Sequence, residues 1–271
     1  MNYKKQRTNL MNWYTKEKRQ MPWRGESDPY KIWLSEIMLQ QTQVTTVIDY
    51  YRRWLERFPS FTDVANASQD EILKYWEGLG YYSRARNFHQ ACISLVKSNQ
   101  KIPRGVSEFI KLKGVGEYIA AAVQSISFNI PIGVVDGNVN RVASRMHSFA
   151  TPPLKNKAKI SNYVNNILDK KNPGDFNQAI MDLGRYICKP QNPDCNICPI
   201  EFDCTSYKNG NTNDFPVKEA KKIKPHYNVA VGIIWNKSQL LITKRREDGL
   251  LGGLWEFPGG KIIKKETAKS A

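Results

Sequence analysis

The sequence predicts an all-α fold for residues 1–207, followed by a linker and a short unit of different secondary structure. Apolar residues recur at helical spacing from the N-terminus to about residue 186. No convincing alternation of apolar and polar residues appears before residue 228, which argues against a sheet in this region. From residue 229 onward the apolar residues follow the pattern of strands.

Composition and charge narrow the class of protein. The chain has 271 residues, of which 41% are hydrophobic and 24% charged, so disordered, collagen-like and low-complexity classes are excluded. Lys and Arg number 41 against 25 Asp and Glu, a net charge of +16, which favours nucleic acid as partner. No apolar stretch approaches the roughly 20 residues of a membrane span, and the N-terminus lacks a signal peptide. We therefore expect a soluble, intracellular protein.

The first region divides into helices separated by Gly, Pro and Asn residues. A charged helix precedes the break MPWRG at residues 21–25. The apolar run that follows predicts two helices, and the insert QQTQ at residues 40–43 interrupts them with amide side chains at one surface spot. The predicted helices cover residues 2–18, 29–58 (two helices), 68–76, 83–98, 106–111, 118–127, 139–149, 155–168 and 174–186.

The end of the chain has a different character. Residues 208–224 are polar, then basic, which is typical of an exposed linker. Residues 229–235 and 239–244 predict two strands around a turn at 236–238, and GLLGGLWEFPGG follows as a Gly-rich connection. Residues 226–271 are few for an independent core.

A cluster of cysteines predicts a metal site. Four of the five cysteines have the spacing C-x6-C-x2-C-x5-C, and thiolates this close together repel and oxidise unless a cation binds them. The spacing alone fits either zinc or a [4Fe–4S] cluster. The fifth, Cys92, is interpreted as a buried thiol without function. The predicted ligands are Cys188, Cys195, Cys198 and Cys204.

A glycine-containing turn lies between two predicted helices. In LKGVG the two glycines let the backbone approach a phosphate closely, and the amides that open the next helix point at the anion. This pattern is typical of a helix-hairpin-helix, although a plain connection between helices fits equally well. The predicted phosphate-binding residues are Lys113, Gly114, Val115 and Gly116.

Two carboxylates have contrasting sequence surroundings. Glu36 lies in an apolar helix, where desolvation would raise its pKa toward that of a proton donor. Asp136 opens a helix, where peptide dipoles and Asn138 would keep it ionised. One protonated and one charged acid suit the cleavage of a glycosidic bond. Taken alone, an exposed Glu36 and a simple N-cap at Asp136 explain the same residues.

Six segments, taken in order over residues 22–204, carry a resemblance to a known family. They are LSEIMLQQTQV, GLGYYSRARN, LKGVGEYIAAA, VVDGNVNRV, FNQAIMDLG and the cysteine quartet. Together they resemble the MutY-type adenine DNA glycosylases of the endonuclease III superfamily. The segment GLLGGLWEFPGG resembles the start of the Nudix-like C-terminal domain of that family.

The resemblance implies an all-α catalytic core of two lobes with DNA in the cleft between them. One is a six-helix-barrel lobe with a helix-hairpin-helix (23–135), and the other an iron-sulfur helical lobe (1–22 and 136–207). A linker (208–225) and a short, incomplete α/β Nudix-like fragment (226–271), truncated from an 8-oxoguanine-recognition domain, complete the chain. The implied cofactor is a [4Fe–4S] cluster rather than zinc. The implied partner is double-stranded DNA with adenine opposite 8-oxoguanine or guanine, and we expect a monomer without membrane partners.

The resemblance also implies residue roles. Glu36 protonates the adenine ring, Asp136 with Asn138 stabilises or captures the sugar cation, and Tyr118 lines the same pocket. Positions that contact an extruded adenine are Trp23, Arg24 and Gln178. Positions that probe the mismatch are Gln41, Thr42, Leu79 and Tyr81, with Tyr81 stacking into the duplex. Extrusion is needed because the bond is inaccessible inside a duplex. For each of these positions packing is the alternative role, and this alternative is strongest for Leu79 and Trp23.

Departures from the family pattern carry further expectations. Tyr118 stands where lyase-competent relatives have a Lys that attacks the sugar, so we expect base removal without efficient strand cleavage. Lys113 replaces the usual Pro of the hairpin. Gly260 and Glu266 match the opening of a Nudix box, but no REUxEE segment follows, so pyrophosphatase chemistry is not expected. With most of the C-terminal domain absent, we expect poor discrimination between 8-oxoguanine and guanine.

Two alternatives stay open from the sequence. One is an endonuclease III-like pyrimidine-damage glycosylase/lyase, which Tyr118 and the GLLGGLWEFPGG segment disfavour. The other is a non-catalytic iron-sulfur DNA-binding module, which the presence of Glu36 and Asp136 disfavours. The expected location is a bacterial-type cytoplasm, in association with the nucleoid.

Overall fold

The computed structural model describes residues 1–219, 225–246, 249, 251–263 and 266–267. Contacts divide the chain into two units, one of residues 1–80 and 84–219 and the other of residues 81–83 and 220–271. The predicted linker therefore belongs to the first unit as far as residue 219. Its residues 220–224 lie outside the described part of the chain.

The first unit is helical, as the sequence predicts. Short 3-10 turns connect some of its helices, and one π-helical segment, Leu183–Ile187, continues directly from α11. The α-helices are α1 (Tyr3–Glu17), α2 (Pro29–Leu39), α3 (Val44–Arg57), α4 (Phe61–Asn66), α5 (Gln69–Trp76), α6 (Ser83–Lys97), α7 (Val106–Phe109), α8 (Glu117–Phe128), α9 (Gly137–His147), α10 (Lys157–Ile167), α11 (Pro173–Asp182) and α12 (Thr205–Lys208).

Local sequence explains where these helices begin. Asp28 caps α2, with Pro29 at the first helical position, where its missing N–H costs no hydrogen bond. Ser60 and Asp63 form a reciprocal capping box at α4. This helix was not predicted because only one of its six residues, Val64, is buried, which leaves no helical period to detect.

The core of the first unit contains two regions, one rich in aromatic side chains and one mainly aliphatic. One surrounds the buried rings of Trp33, Trp54 and Trp76, which pack edge-to-face or tilted on neighbouring aromatic rings. The other joins α1 to α9, α10 and α11 through buried aliphatic side chains and includes Cys204. The N-terminal helix therefore packs against helices more than a hundred residues away in sequence. The division into two lobes at residues 22 and 136 stays a prediction.

The second unit consists, in its described part, of antiparallel strand pairs. Val229–Val231 (β1) pairs with Gly259–Lys261 (β6), and Thr243–Lys244 (β4) pairs with Trp255–Glu256 (β5). A hairpin joins Trp235–Asn236 (β2) to Gln239–Leu240 (β3).

The predicted turn at residues 236–238 lies in this hairpin. Each of the two predicted strands is broken in two, and the predicted Gly-rich connection contains β5 and β6. Gly259 lets β6 lie close to β1, because a Cβ there would be 2.3 Å from the carbonyl oxygen of Ala230.

Among the described residues, every helix is too short or too polar to cross a membrane.

Candidate active site and cysteine cluster

One cavity in the first unit brings together seven of the predicted site residues. Its volume is about 720 Å³, its open mouth included, and helices α2, α8, α9 and α11 contribute to its walls. Residues from distant parts of the chain meet there, so the site depends on tertiary packing. The seven predicted residues in the lining are Trp23, Arg24, Glu36, Tyr118, Asp136, Asn138 and Gln178.

Glu36 lies in the interior of α2 and is 5% exposed, which excludes the exposed position that the sequence left open. Its Oε2 accepts a hydrogen bond of 2.5 Å from the Tyr118 hydroxyl. The pKa of the Glu36 carboxyl is raised to about 7, and burial is the largest cause. The hydrogen bond from Tyr118 acts in the opposite direction, and the nearby Asp136 charge adds to the increase. A substantial fraction of Glu36 is therefore protonated at neutral pH.

Asp136 is the N-cap of α9. Its Oδ1 accepts from the backbone N–H of Val139 at 2.7 Å, and its Oδ2 accepts from the Asn138 side chain at 2.8 Å. The sequence predicts that these groups keep the carboxyl ionised. The direction of the shift is the opposite: burial raises the pKa of Asp136 above its ordinary value, against the hydrogen bonds and the Arg141 charge. Desolvation in the cavity wall is the larger effect.

Arg24 forms a buried ion pair in the cavity wall. Its Nη2 donates to both carboxylate oxygens of Asp182 at 2.8 Å, and its Nη1 donates to the Tyr14 hydroxyl. Burial raises the pKa of Asp182, and the Arg24 charge opposes this shift. The Arg24 Nε is buried without a hydrogen-bond partner in the structure. The Nε–H is therefore one donor of the guanidinium that is left for a bound base.

The remaining cavity residues come from the PWRG break and from α11. Trp23 is 7% exposed and packs edge-to-face on Tyr51, with ring centroids 5.4 Å apart, so it combines packing with a place in the cavity wall. Gln178 lies one helical turn before Asp182, and the two side chains line the same cavity. Sequence reasoning missed Asp182, although its spacing of four residues from Gln178 was an available signal.

The four predicted mismatch probes lie elsewhere. None of them is found among the described residues that line the cavity. Leu79 is 6% exposed and part of the core, as its packing alternative predicts, whereas Tyr81 is 58% exposed. Gln41 and Tyr81 both have positive φ angles, +55° and +48°, which non-glycine residues rarely adopt. Thr42 donates to the Gln40 carbonyl at 3.3 Å.

The predicted hairpin lies between α7 and α8. Gly114 has φ +80°, and a Cβ there would lie 2.7 Å from the Asn87 Cβ, so this position requires glycine. Gly116 is the N-cap of α8, and no described side chain caps the helix, which leaves its first amides available to an anion. Val115 is buried, and the Lys113 ammonium donates to Gln90 at the surface.

The four clustered cysteines follow the π-helical segment. All are free thiols, and all four line one cavity together with apolar side chains. Within the described residues, no three potential ligands converge closely enough to hold a single metal ion. Burial raises the pKa of the Cys188 and Cys198 thiols, so both would need a bound cation to become thiolates.

A buried guanidinium lies beside this cavity. Arg145 is 1% exposed, and its Nη1 donates to the Cys188 Sγ at 3.3 Å and to the Lys189 carbonyl at 2.7 Å. A buried cation is stabilised by a nearby anionic group. Four thiolates around an iron–sulfur cube would supply such negative charge, and a cube needs ligands spread more widely than a single ion does. The residues present therefore fit a cluster.

Arg141 connects the cysteine segment to the cavity that holds Asp136. Its Nε donates to the Cys188 carbonyl at 2.7 Å, and its Nη2 donates to the Gly184 carbonyl at 2.5 Å and to the Asn138 Oδ1 at 2.9 Å. Asn138 in turn donates to Asp136. Gly184 permits this packing, since a Cβ there would lie 2.6 Å from the Asn138 Cβ. Sequence reasoning missed Arg141 because only the fold brings it to Cys188.

Comparisons with known proteins agree with this arrangement. The profile of the HhH-GPD superfamily of base excision DNA repair proteins matches residues 34–168, and that of the NUDIX domain matches residues 230–271. The adenine DNA glycosylase of Arabidopsis thaliana is 36% identical over 98% of this chain and 48% of its own length. That of Buchnera aphidicola subsp. Schizaphis graminum is 36% identical over 92% of this chain and 73% of its own.

The chain thus spans about half the length of the plant relative. A solved structure of a non-covalent endonuclease III–DNA complex matches with a TM-score of 0.64, over 78% of this chain and 98% of the other, at 24% identity. This match confirms the predicted helical fold. The Buchnera relative, which is 36% identical and has 73% of its own length covered, shows that the chain belongs to the adenine DNA glycosylase family.

Proposed function

We propose that this chain is a monofunctional DNA glycosylase that hydrolyses the N-glycosidic bond of adenine mispaired with 8-oxoguanine or guanine. The observation that carries the proposal is the pair of acids in one cavity. Glu36 has a pKa raised to about 7 and a hydrogen bond from Tyr118, while Asp136 is held by the first turn of α9. Proton donation and cation stabilisation need these two settings.

The substrate base reaches the cavity only after leaving the duplex. Extrusion costs a few kcal/mol and is easiest at a mismatch. The cavity offers an aromatic wall at Trp23 and polar atoms at Gln178 and the Arg24 Nε, which has no hydrogen-bond partner among the described residues. These groups suit a flat, nitrogen-rich base.

In the bond-breaking step the protonated Glu36 carboxyl gives its proton to a ring nitrogen of adenine. The bond between the sugar C1′ and the base breaks, and its electron pair stays with the departing base. The Asp136 carboxylate stabilises the oxocarbenium-like sugar or captures it. A water oxygen then bonds to C1′, and the C1′–Asp136 bond breaks if it has formed. The water proton passes to a carboxylate, which leaves free adenine and an abasic sugar.

Strand cleavage by a Schiff base does not belong to this proposal. That chemistry needs an amine near C1′, and the described lining of the cavity contains no lysine. Burial and the Glu36 charge raise the pKa of Tyr118 well above its ordinary value, so its hydroxyl stays protonated. This observation separates the proposal from the pyrimidine-damage glycosylase/lyase.

DNA binding would combine general charge with the hairpin. The net charge of +16 gives salt-sensitive attraction to any duplex. The uncapped start of α8, behind Gly114 and Gly116, would hold a phosphate through backbone amides. The mismatch itself would be read by other residues, among them Gln41, Thr42 and Tyr81.

The cysteine cavity would hold a [4Fe–4S] cluster through Cys188, Cys195, Cys198 and Cys204. When bound, the cluster would supply a rigid cross-link between these segments rather than a reacting group. Visible absorption and the iron and sulfide content of the purified protein test this proposal. A colourless protein that contains zinc would contradict it, since zinc sites do not absorb visible light.

The decisive experiment measures adenine release under single-turnover conditions from duplexes with adenine opposite 8-oxoguanine or guanine. We expect release by the wild type and a rate lower by about 10²–10⁴-fold for Glu36→Gln, which cannot donate the proton. Equal release by both proteins would refute the mechanism. Absence of release by a folded wild type would favour a non-catalytic DNA-binding module. Release of an oxidised pyrimidine with strand cleavage, from a further duplex that carries this lesion, would favour the lyase.

A further inference from the structure

Two turns that carry predicted mismatch probes are held by one guanidinium. The first turn follows α2 and carries Gln41 and Thr42, and the second follows α5 and carries Leu79 and Tyr81. Arg84 lies close behind the second turn, in the first turn of α6. It is not a cavity residue and the proposed mechanism does not use it.

The Nη1 of Arg84 donates to the turn after α2. Its acceptors are the carbonyl oxygens of Ile37, Met38 and Gln40, at 2.9, 3.0 and 2.6 Å. The last carbonyls of a helix lack partners within the helix, and here Arg84 satisfies them.

The Nη2 of Arg84 donates to both turns. It bonds to the carbonyl oxygens of Leu79 at 3.1 Å and Gly80 at 3.2 Å, and to the Thr42 hydroxyl at 3.2 Å. The guanidinium also lies over the Trp76 ring, 5.2 Å from its centroid, and the Trp76 Nε1 donates to the same Gly80 carbonyl at 3.0 Å. The planar fork of an arginine is suited to bridging acceptors in this way.

The acceptors of Arg84 coincide with strained backbone. Gln41 and Tyr81 have φ angles of +55° and +48°, and each directly follows a carbonyl that Arg84 binds, those of Gln40 and Gly80. A non-glycine residue in this conformation costs free energy and persists only where its surroundings hold it. Arg84 supplies such support at both positions.

We infer that Arg84 is a positioning residue for mismatch recognition, which sets the two probe-bearing turns in one relative geometry. The inference rests on the proposed function for its substrate. It predicts that loss of the guanidinium weakens the preference for a mismatch rather than binding to DNA in general. The hairpin, which acts on any duplex, does not involve Arg84, and loss of its charge lowers the net charge of +16 by only one.

The test compares the full-length wild type with Arg84→Met, which keeps a side chain to cover Trp76 but has no donors, and with Arg84→Lys. Fluorescence anisotropy gives the ratio of affinities for an adenine–8-oxoguanine duplex and a matched duplex of the same sequence. We expect the ratio to fall about tenfold in Arg84→Met and less in Arg84→Lys, with matched-duplex affinity within about twofold. The single-turnover rate at saturating enzyme should fall less than the ratio does.

Arg53→Met is the matched control. Arg53 also lies over an aromatic ring, that of Tyr50 at 4.7 Å, and donates to one carbonyl, that of Tyr75 at 3.1 Å, which belongs to α5 and to neither turn. The affinity ratio should not change in this variant. An equal fall in the control would mean that any lost arginine produces the effect, and would overturn the inference.

A double-mutant cycle separates positioning from general stability. In a Gln41→Ala/Tyr81→Ala background, Arg84→Met should change the ratio by less than about twofold, because the probes it positions are gone. A tenfold loss in that background would overturn the inference, as would an unchanged ratio in folded Arg84→Met. Loss of the excision rate with a normal affinity ratio would also overturn it, because Arg84 would then act on Glu36 through α2. If Arg84→Met does not fold, Arg84→Lys replaces it in the double-mutant cycle.

These outcomes are independent of the proposed function. The affinity ratio needs no chemistry, so a wild type that binds mismatches without releasing adenine would refute the proposed reaction and leave the role of Arg84 testable. A wild type that releases adenine while Arg84→Met keeps a normal affinity ratio would refute only the inference.

Discussion

The two acids of the cavity are held by different kinds of structure. Glu36 lies inside the apolar helix α2, and its described partner is one side chain, Tyr118. Asp136 lies at a helix start and accepts from a backbone amide and from Asn138, which Arg141 holds in turn. Burial raises the pKa of both carboxyls. The number of donors, rather than the type of residue, therefore separates an acid suited to giving a proton from one suited to stabilising a cation.

The largest effect that tests this contrast comes from the charge of Asp136. Asp136→Asn keeps a good N-cap for α9 but removes the negative charge, so we expect the single-turnover rate to fall by about 10²–10³-fold with a change in stability below about 1 kcal/mol. Adenine release and thermal unfolding measure the two quantities. A large loss of stability with a modest loss of rate would show that Asp136 is mainly a helix cap.

The next effect concerns the support of Asp136. Arg141→Met removes the donor that orients Asn138, and supporting groups of this kind typically change activity by about 10–100-fold. We expect a loss in that range at saturating enzyme, with partial recovery in Arg141→Lys. A rate near that of the wild type would show that Asn138 is held without Arg141.

The pH dependence of the rate tests the Glu36 side. Because Glu36 must be protonated to act as an acid, the wild-type rate should fall as the pH rises through about 7. The Tyr118 hydroxyl lowers the pKa of Glu36, so in Tyr118→Phe the fall should move to higher pH. A midpoint that stays in place or moves to lower pH would contradict this assignment.

The smallest effect is on stability. The pKa of Glu36 is raised to about 7 in the folded state from 4.5, so the folded state binds more protons and loses stability as the pH rises between these values. Above pH 7 this costs up to about 3 kcal/mol. Glu36→Gln should therefore gain stability over the wild type at pH 8 compared with pH 4, in urea unfolding. A difference that does not depend on pH would show that Glu36 is not buried as an acid.

Much of the fold was predictable because its signals are local. The spacing of apolar residues marks α2, α3 and α8, and the comparisons confirm the helical fold. The six-residue α4 and the short strands β5 and β6 escaped prediction, since a few residues carry no measurable period. The assignment of site residues stays a prediction, although seven of them meet in one cavity.

By itself the sequence determined most of the helices, the residue types of the site and the family, because period, motif order and chemistry are properties of the chain alone. Only the tertiary structure decided that Asp182 pairs with the Nη2 of Arg24, that Asp136 has a raised pKa, and that Arg84 and Arg141 hold distant segments. Hydrogen-bond partners and desolvation depend on which segments pack together, and residues far apart in sequence carry no local sign of that packing.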